Sequence, residues 1–203
     1  MQIISSSTVI TNINSTRFLG LNTDSSLSLK DHILELTSKL NKACYAVRAI
    51  KPIMSLDAMK MIYYSYVQSV VSFGVIFWGN PHLNGSIFKV QERIIRIITN
   101  SGQRDSCRQL YKQLQILPLP SLYVFSLLVF VNKTRSLFLS NSAIRDRNTR
   151  YNDGLYLPST NLTSVQKGVL YSGSNIYYHL PLNIKMLSKD AKQFKSKLRS
   201  CLT

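Results

Sequence analysis

Basic side chains recur at helical spacing near the middle of the chain, and the chemistry open to them is contact with phosphate groups. Lys89, Arg93 and Arg96 are four and three residues apart, so in a helix they share one face. Glu92 falls on the same face and lowers its positive charge. Each cation that neutralises a phosphate of a DNA duplex contributes about 0.9 to the salt dependence of binding. The alternative is a helix face that contacts only water, and the residue pattern alone leaves both interpretations open.

Side chains that could support catalysis or hold a metal ion are scattered along the chain. The 9 Asp and Glu residues include no Asp-Asp pair, whereas two-metal nucleotidyl transfer requires closely set carboxylates. The histidines and cysteines lack the short spacings of a metal site, such as C-x-x-C. These residues are His32, His82, His179, Cys44, Cys107 and Cys201. We therefore predict no catalytic residue, no metal site and no cofactor in this chain alone.

The overall charge favours a polyanionic partner. Lys and Arg number 25 against 9 Asp and Glu, a net charge of +16, and such an excess is typical of proteins that bind nucleic acid. An anionic membrane surface ranks second. The most apolar run, Leu122 to Val131, is about half as long as the ~20 residues of a membrane span, and the first residues lack a signal peptide. We predict an intracellular protein, in cytoplasm or nucleus, that is not secreted and has no membrane partner.

Short β-branched and aromatic runs open the chain. Thr8–Thr11 and Thr16–Leu21 are separated by Asn12–Ser15, a pattern that predicts a hairpin of two strands. A lone hairpin is marginally stable in water and must pack on another element. We assign residues 1–28 to this hairpin unit.

Residues 29–138 show helical patterns. Ser28 is predicted to cap a first helix that ends before Pro52, and Ser55 to cap a second. Gly74 and Gly79 bracket a short run that we predict to be extended. The basic helix follows, and the last two helices are predicted at about Cys107–Leu114 and Ser121–Phe138. The latter is apolar on nearly all sides, which indicates the centre of a helix bundle.

Residues 139–203 change in character to Asn, Ser, Arg and Tyr, and we predict a loosely folded basic extension. A terminal helix over about Ser188–Leu202 carries an apolar stripe and a basic face. The cations are Lys189, Lys192, Lys195, Lys197 and Arg199. Such a helix could lie on an anionic membrane, but packing on the preceding bundle is the favoured interpretation. The predicted fold class is mainly α, with a short β-hairpin first, a helical bundle next and the extension last.

Several short motifs occur in the order found in one family. The chain resembles the end of the reverse transcriptase of a non-LTR, LINE-type retrotransposon of the Jockey group. The matching motifs are Thr16–Leu21, His32-Ile33, Tyr63-Tyr64, Phe73-Gly74, Trp78-Gly79-Asn80, Gln91–Arg93, Ile116–Leu122, Asn148–Arg150, Leu157-Pro158 and Leu180-Pro181. Leu29, Glu92 and Tyr178 stand where the family has Trp, Lys and Asn.

The resemblance implies part of an RNA-directed DNA polymerase, in which 1–28 close the palm as a primer-grip hairpin and 29–138 form a thumb. It implies primer-template contacts at Arg17, Phe18, Leu19 and Gly20, together with Lys89, Arg93 and Arg96. The family's catalytic aspartates have no counterpart here, so we expect fingers and palm before Met1, with Mg²⁺ needed only there. The expected partners are a nucleic-acid duplex and that palm. The alternative is a small basic structural or protein-interaction module.

Overall fold

The computed structural model describes residues 3–5, 8–10, 13–81, 84–144 and 154–203, and the fold is mainly α, as predicted. Two antiparallel hairpins come first: β1 (Ile3–Ser5) pairs with β2 (Thr8–Ile10), and β3 (Ser15–Phe18) pairs with β4 (Leu21–Asp24). The predicted pairing of the β2 segment with the β3 segment is therefore wrong; Thr11 and Asn12 lie outside the described residues. Both Leu19 and Gly20 have positive φ, 48° and 80°, as a tight two-residue hairpin turn requires.

Twelve α-helical segments are assigned in the described ranges after the hairpins. They are α1 (Lys30–Ile50), α2 (Leu56–Ile62), α3 (Ser69–Ser72), α4 (Val75–Trp78), α5 (Gly85–Thr99), α6 (Cys107–Leu114), α7 (Leu119–Lys133), α8 (Asn141–Ile144), α9 (Thr163–Gln166), α10 (Val169–Tyr178), α11 (Leu182–Lys185) and α12 (Ala191–Leu202). A π-helix, Tyr63–Gln68, joins α2 to α3, and both Tyr63 and Val67 within it are fully buried. Short 3-10 turns cover Lys51–Ile53, Arg135–Leu137 and Met186–Lys189.

A side-chain cap sets the start of α2 but not that of α1. The Ser55 hydroxyl accepts a hydrogen bond from the Ala58 N–H, which confirms the predicted cap of α2. Ser28 does not cap α1, because the helix begins at Lys30 and its N-cap position is Leu29. The chain is turned toward α1 by Asp24 instead, whose carboxylate accepts from the N–H groups of Ser26 and Ser28.

The run between Gly74 and Gly79 is helical, and its predicted extended conformation is wrong. Gly74 has φ 61° and separates α3 from α4, a left-handed conformation that favours glycine. The buried Trp78 then donates from Nε1 to the Phe73 carbonyl at 2.9 Å. This bond holds α4 in a single helical turn, because it closes the segment back on the end of α3.

The main core lies between α1, the α2–α4 segment, α5 and α7. The helix predicted to be central, α7, packs on α3, α4, α5, α10 and α12, which confirms its central position. It begins two residues earlier than predicted and ends at Lys133.

The described parts of the extension, 139–144 and 154–203, contain helices α8 to α12 and are more ordered than the predicted loose fold. They add a second cluster of buried side chains, namely Leu128, Val131, Phe138, Leu155, Tyr177, Ile184, Phe194 and Leu198. Gly173 allows α10 to approach α7 closely, because a Cβ there would lie 2.8 Å from Val131. α12 packs on α7 as favoured from the sequence, and Asp190 caps it. α7 contributes side chains to both the main core and the second cluster. The predicted domain boundary between residues 138 and 139 therefore stays a prediction.

Candidate nucleic-acid interface

The basic helix α5 lies beside α1, and two side-chain contacts fix their relative direction. The Thr37 hydroxyl, about two turns into α1, is 3.2 Å from the Ser86 hydroxyl at the beginning of α5. Lys51 Nζ donates to Asn100 Oδ1 at 2.8 Å near the ends of both helices. In each pair, the two residues are 49 positions apart in the sequence. The two helices are therefore parallel and in register over about four turns.

This arrangement combines residues of both helices on one solvent-facing surface. Each residue turns an α-helix by about 100°, so Asn41, Tyr45 and Arg48 lie on the side of α1 that Thr37 marks. By the same geometry Lys89 and Arg93 lie on the side of α5 that Ser86 marks. All five residues are exposed. We call this surface the α1–α5 face; its members are Asn41, Tyr45, Arg48, Lys89 and Arg93.

The nearest carboxylates of the two helices are those of Glu35 and Glu92. Glu35 is bound by Lys39, four residues on, and by the Asn22 amide of β4. The Lys39 interaction, followed by weaker effects that include Arg17, holds the pKa of Glu35 below its usual value. Glu92 is three residues from Lys89 and lies toward Arg96, at the margin of the surface. The α1–α5 face thus presents three cations, with Glu92 at its margin beside Arg96.

Arg96 contributes less to this face than its spacing predicts. Its side chain is only partly exposed, and its Nε donates to the Asp105 carbonyl at 3.1 Å. Nη2 lies 4.0 Å from Glu92 Oε2. Because both ends of the guanidinium have partners within the chain, we place Arg96 at the margin of the face.

The predicted hairpin contacts are exposed but lie on the other side of α1. Arg17, Phe18 and Leu19 face solvent at the end of the β3–β4 hairpin. The Asn22–Glu35 bond attaches that hairpin to the flank of α1 opposite α5. Gly20 packs on the Phe73 ring, with 3.1 Å between the ring and a Cβ built at Gly20. The structure therefore does not bring the two predicted groups onto one face.

A buried glutamine positions α5 against the rest of the bundle. Gln91 Nε2 donates to the Tyr63 hydroxyl at 2.8 Å and to the Leu117 carbonyl at 3.1 Å. Its Oε1 accepts from the Leu119 N–H at 2.8 Å. The side chain is fully buried, and burial also raises the pKa of Tyr63 well above its usual range. Since one residue joins three segments, the orientation of α5 depends on it.

Other titratable groups in the described ranges include no cluster that could hold a metal ion. No three His, Cys, Asp or Glu residues approach each other there; His82 lies outside these ranges. Burial raises the pKa of the Cys107 thiol, which disfavours the reactive thiolate. Burial likewise lowers the pKa of His32, whose two ring nitrogens are buried without a hydrogen-bond partner. This imidazole is neutral at pH 7 and packs edge-on to Trp78.

No single helix in the described ranges has the length and apolar character to cross a membrane. α6 and α7 pass that test only when joined, and they are bent by 50° with respect to each other.

The sequence interpretation missed Tyr45 and Arg48, which α1 contributes to the face. Tyr45 is 72% exposed although it is a large aromatic residue. The signal in the sequence is that Asn41, Tyr45 and Arg48 run beside the apolar stripe of α1 at offsets of four and three. That stripe does not indicate which neighbouring helix lies beside it.

No protein-family model, curated protein or solved structure matches this chain. The motif Asn148–Arg150 lies outside the described residues.

Proposed function

We propose that the α1–α5 face binds the sugar–phosphate backbone of a nucleic-acid duplex, as part of the thumb of a LINE-type reverse transcriptase. The observation that carries the proposal is the convergence of Arg48, Lys89 and Arg93 from two parallel helices. The ordered motifs and the net charge of +16 support it from the sequence. In this proposal the chain grips primer and template and performs no chemistry of its own.

The spacing of the cations suits a phosphate chain. Lys89 and Arg93 are four residues apart on α5, which is about 6 Å along the helix. Phosphates of one strand advance about 3.4 Å per nucleotide along a duplex axis. The two side chains can therefore contact phosphates one or two nucleotides apart, and Arg48 extends the contact across α1. The exposed Tyr45 ring lies within the same face and can pack on a sugar or an end base.

The remaining parts of the proposal follow from the family resemblance. Mg²⁺ would be needed only where a palm supplies the catalytic aspartates, and that palm with its fingers would be a protein partner. Arg17, Phe18, Leu19 and Gly20 would make a separate contact through the β3–β4 hairpin. An intracellular location, cytoplasm or nucleus, is where such a complex would meet RNA and DNA.

The test is fluorescence anisotropy with a labelled RNA–DNA hybrid over a range of salt concentrations. The variant Arg48→Glu/Arg93→Glu should weaken binding by about 30-fold, taking ~1 kcal/mol per lost phosphate contact. The slope of log affinity against log salt should also fall by about 2. The control is a single charge reversal outside the α1–α5 face, Lys112→Glu. Lys112 is an exposed residue of α6, which contacts α5 through Cys107 Sγ and the Glu92 carbonyl.

Two results would count against the proposal. An affinity of the double variant equal to that of Lys112→Glu would show that the face makes no phosphate contact. A wild-type affinity that barely changes with salt would show that binding, if any, is not to the backbone. A tight protein partner that remains after nuclease treatment would then favour the interaction-module alternative.

A further inference from the structure

An exposed aromatic ring on the extension is held in place by its neighbours. Tyr178 is the last residue of α10 and is 59% exposed. The Lys185 ammonium lies 5.8 Å from the centre of its ring and donates to the Tyr178 carbonyl at 2.7 Å. The His179 ring stands edge-on to it, with 5.3 Å between ring centres. The ring is therefore oriented and still open to solvent.

A second, buried tyrosine anchors the same cation. Lys185 Nζ lies 5.9 Å from the centre of the Tyr177 ring, so the ammonium faces two aromatic rings. Arg135 Nη1 donates to the Tyr177 hydroxyl at 3.1 Å, and its guanidinium lies 5.5 Å from that ring. We call Arg135, Tyr177, Tyr178, His179 and Lys185 the Tyr178 cluster. It joins an exposed ring to a cation that is hydrogen-bonded to the backbone of the same residue.

The surroundings of the cluster are strongly basic. Residues 154–203 contain seven Lys or Arg and one carboxylate side chain, Asp190. That carboxylate accepts from the Lys192 and Gln193 N–H groups at the start of α12. On α12, Phe194 is buried against the bundle, whereas Lys192 and Lys195 are exposed to solvent. α12 packs on α11, the helix that carries Lys185.

We propose that the Tyr178 cluster is a binding site for single-stranded nucleic acid, in which a base stacks on Tyr178 and Lys185, Lys192 and Lys195 contact phosphates. An exposed aromatic ring beside a basic track is the combination that binds single strands. A membrane surface fits less well, because the apolar residues Phe194 and Leu198 of α12 are buried in the protein. The inference shares with the proposed function only the premise that the partner is a nucleic acid.

The test compares an RNA–DNA hybrid with the same hybrid carrying a single-stranded RNA extension. The wild-type protein should bind the extended probe more tightly. Tyr178→Ala should lower the affinity for the extended probe by about ten-fold. The slope of log affinity against log salt should stay unchanged, because stacking is not ionic. Tyr178→Phe, which keeps the ring, is the matched control and should retain the gain. Lys192→Gln/Lys195→Gln should lower the salt slope by about 1.4 on the extension.

The outcomes separate this inference from the proposed function. Equal affinities of Tyr178→Ala and wild type for the extended probe overturn the stacking site, even if Arg48→Glu/Arg93→Glu weakens binding to the blunt hybrid. Equal losses for Tyr178→Phe and Tyr178→Ala also overturn it, because the ring would not be the contact. No binding to the blunt hybrid, with Tyr178-dependent binding to free single-stranded RNA, supports this site and refutes the duplex grip. Tyr178-dependent binding to phosphatidylserine vesicles without RNA binding overturns it in favour of a membrane.

Discussion

Replacing Gln91 by Leu tests whether the buried amide holds α5 in place. The side chains are similar in size, so the substitution leaves little cavity and mainly removes hydrogen bonds. The Tyr63 hydroxyl, the Leu117 carbonyl and the Leu119 N–H would each lose the partner they have in the structure. A buried polar group without a partner costs about 1–3 kcal/mol. At ~1 kcal/mol for each of the three groups, we expect the free energy of unfolding to fall by about 3 kcal/mol.

The assay is equilibrium unfolding in urea, followed by far-UV circular dichroism. Tyr63→Phe in the Gln91→Leu background should restore about 1 kcal/mol, because it removes one of the stranded groups. The matched control is Gln109→Leu on the exposed side of α6, where we expect a change within about 0.5 kcal/mol.

A loss below ~1 kcal/mol for Gln91→Leu would refute the reasoning, since one unpaired group alone should cost that much. Strict additivity of Gln91→Leu and Tyr63→Phe would also refute it. Additive costs would mean that the amide and the hydroxyl do not depend on each other.

Two further predictions concern a buried base and a strained turn. Burial lowers the pKa of His32, so below pH ~6.5 the unfolded chain binds a proton at this residue that the folded chain does not. The free energy of unfolding should therefore fall as the pH drops from ~6.5 toward the lower pKa of the folded state. In His32→Phe, the urea midpoint of unfolding should fall less between neutral and mildly acidic pH. Glu35, Lys39 and Arg17, which also act on the His32 pKa, remain in both proteins. The same pH dependence of the midpoint in both proteins would contradict the role given to His32. Gly74→Ala should cost about 1–2 kcal/mol in thermal unfolding, because φ is 61° and the new methyl group would lie 2.9 Å from Leu21. Gly85→Ala, with no atom within 4 Å of the added Cβ, is its control, and an equal effect at both glycines would remove the role given to the turn.

Much of the helical layout could be predicted from the sequence, because period and capping are local properties. Cys107–Leu114 is observed with the predicted bounds, and Ser55 caps α2 as its position indicates. The hairpin pairing could not be predicted in the same way. Its register depends on the positive φ of Leu19, and leucine rarely adopts that conformation.

The candidate site could be predicted only in part, because its residues come from two helices that are distant in the sequence. Lys89 and Arg93 stand out on α5. Arg48 lies beside them because the contacts Thr37–Ser86 and Lys51–Asn100 hold α1 against α5. Arg96 shows the opposite case: its spacing suits the basic face, yet the Asp105 carbonyl binds its guanidinium. Tertiary packing, which the periodicity of one helix does not contain, decides both.

The π-helix has a consequence for how the chain tolerates deletions. Met59, Tyr63, Val67 and Val71 recur at every fourth position and are all fully buried. In an uninterrupted α-helix such a row would rotate by about 40° per step, or ~120° over three steps. The wider turn at Tyr63–Gln68 removes much of this drift and keeps the row in phase with the core. Loss of a single residue there would let the wide turn close to an α-helical one. Eleven steps of about 100° differ by only ~20° from three full turns, so Val71 would still face the core and the Gly74 turn that receives Leu21 would keep its direction.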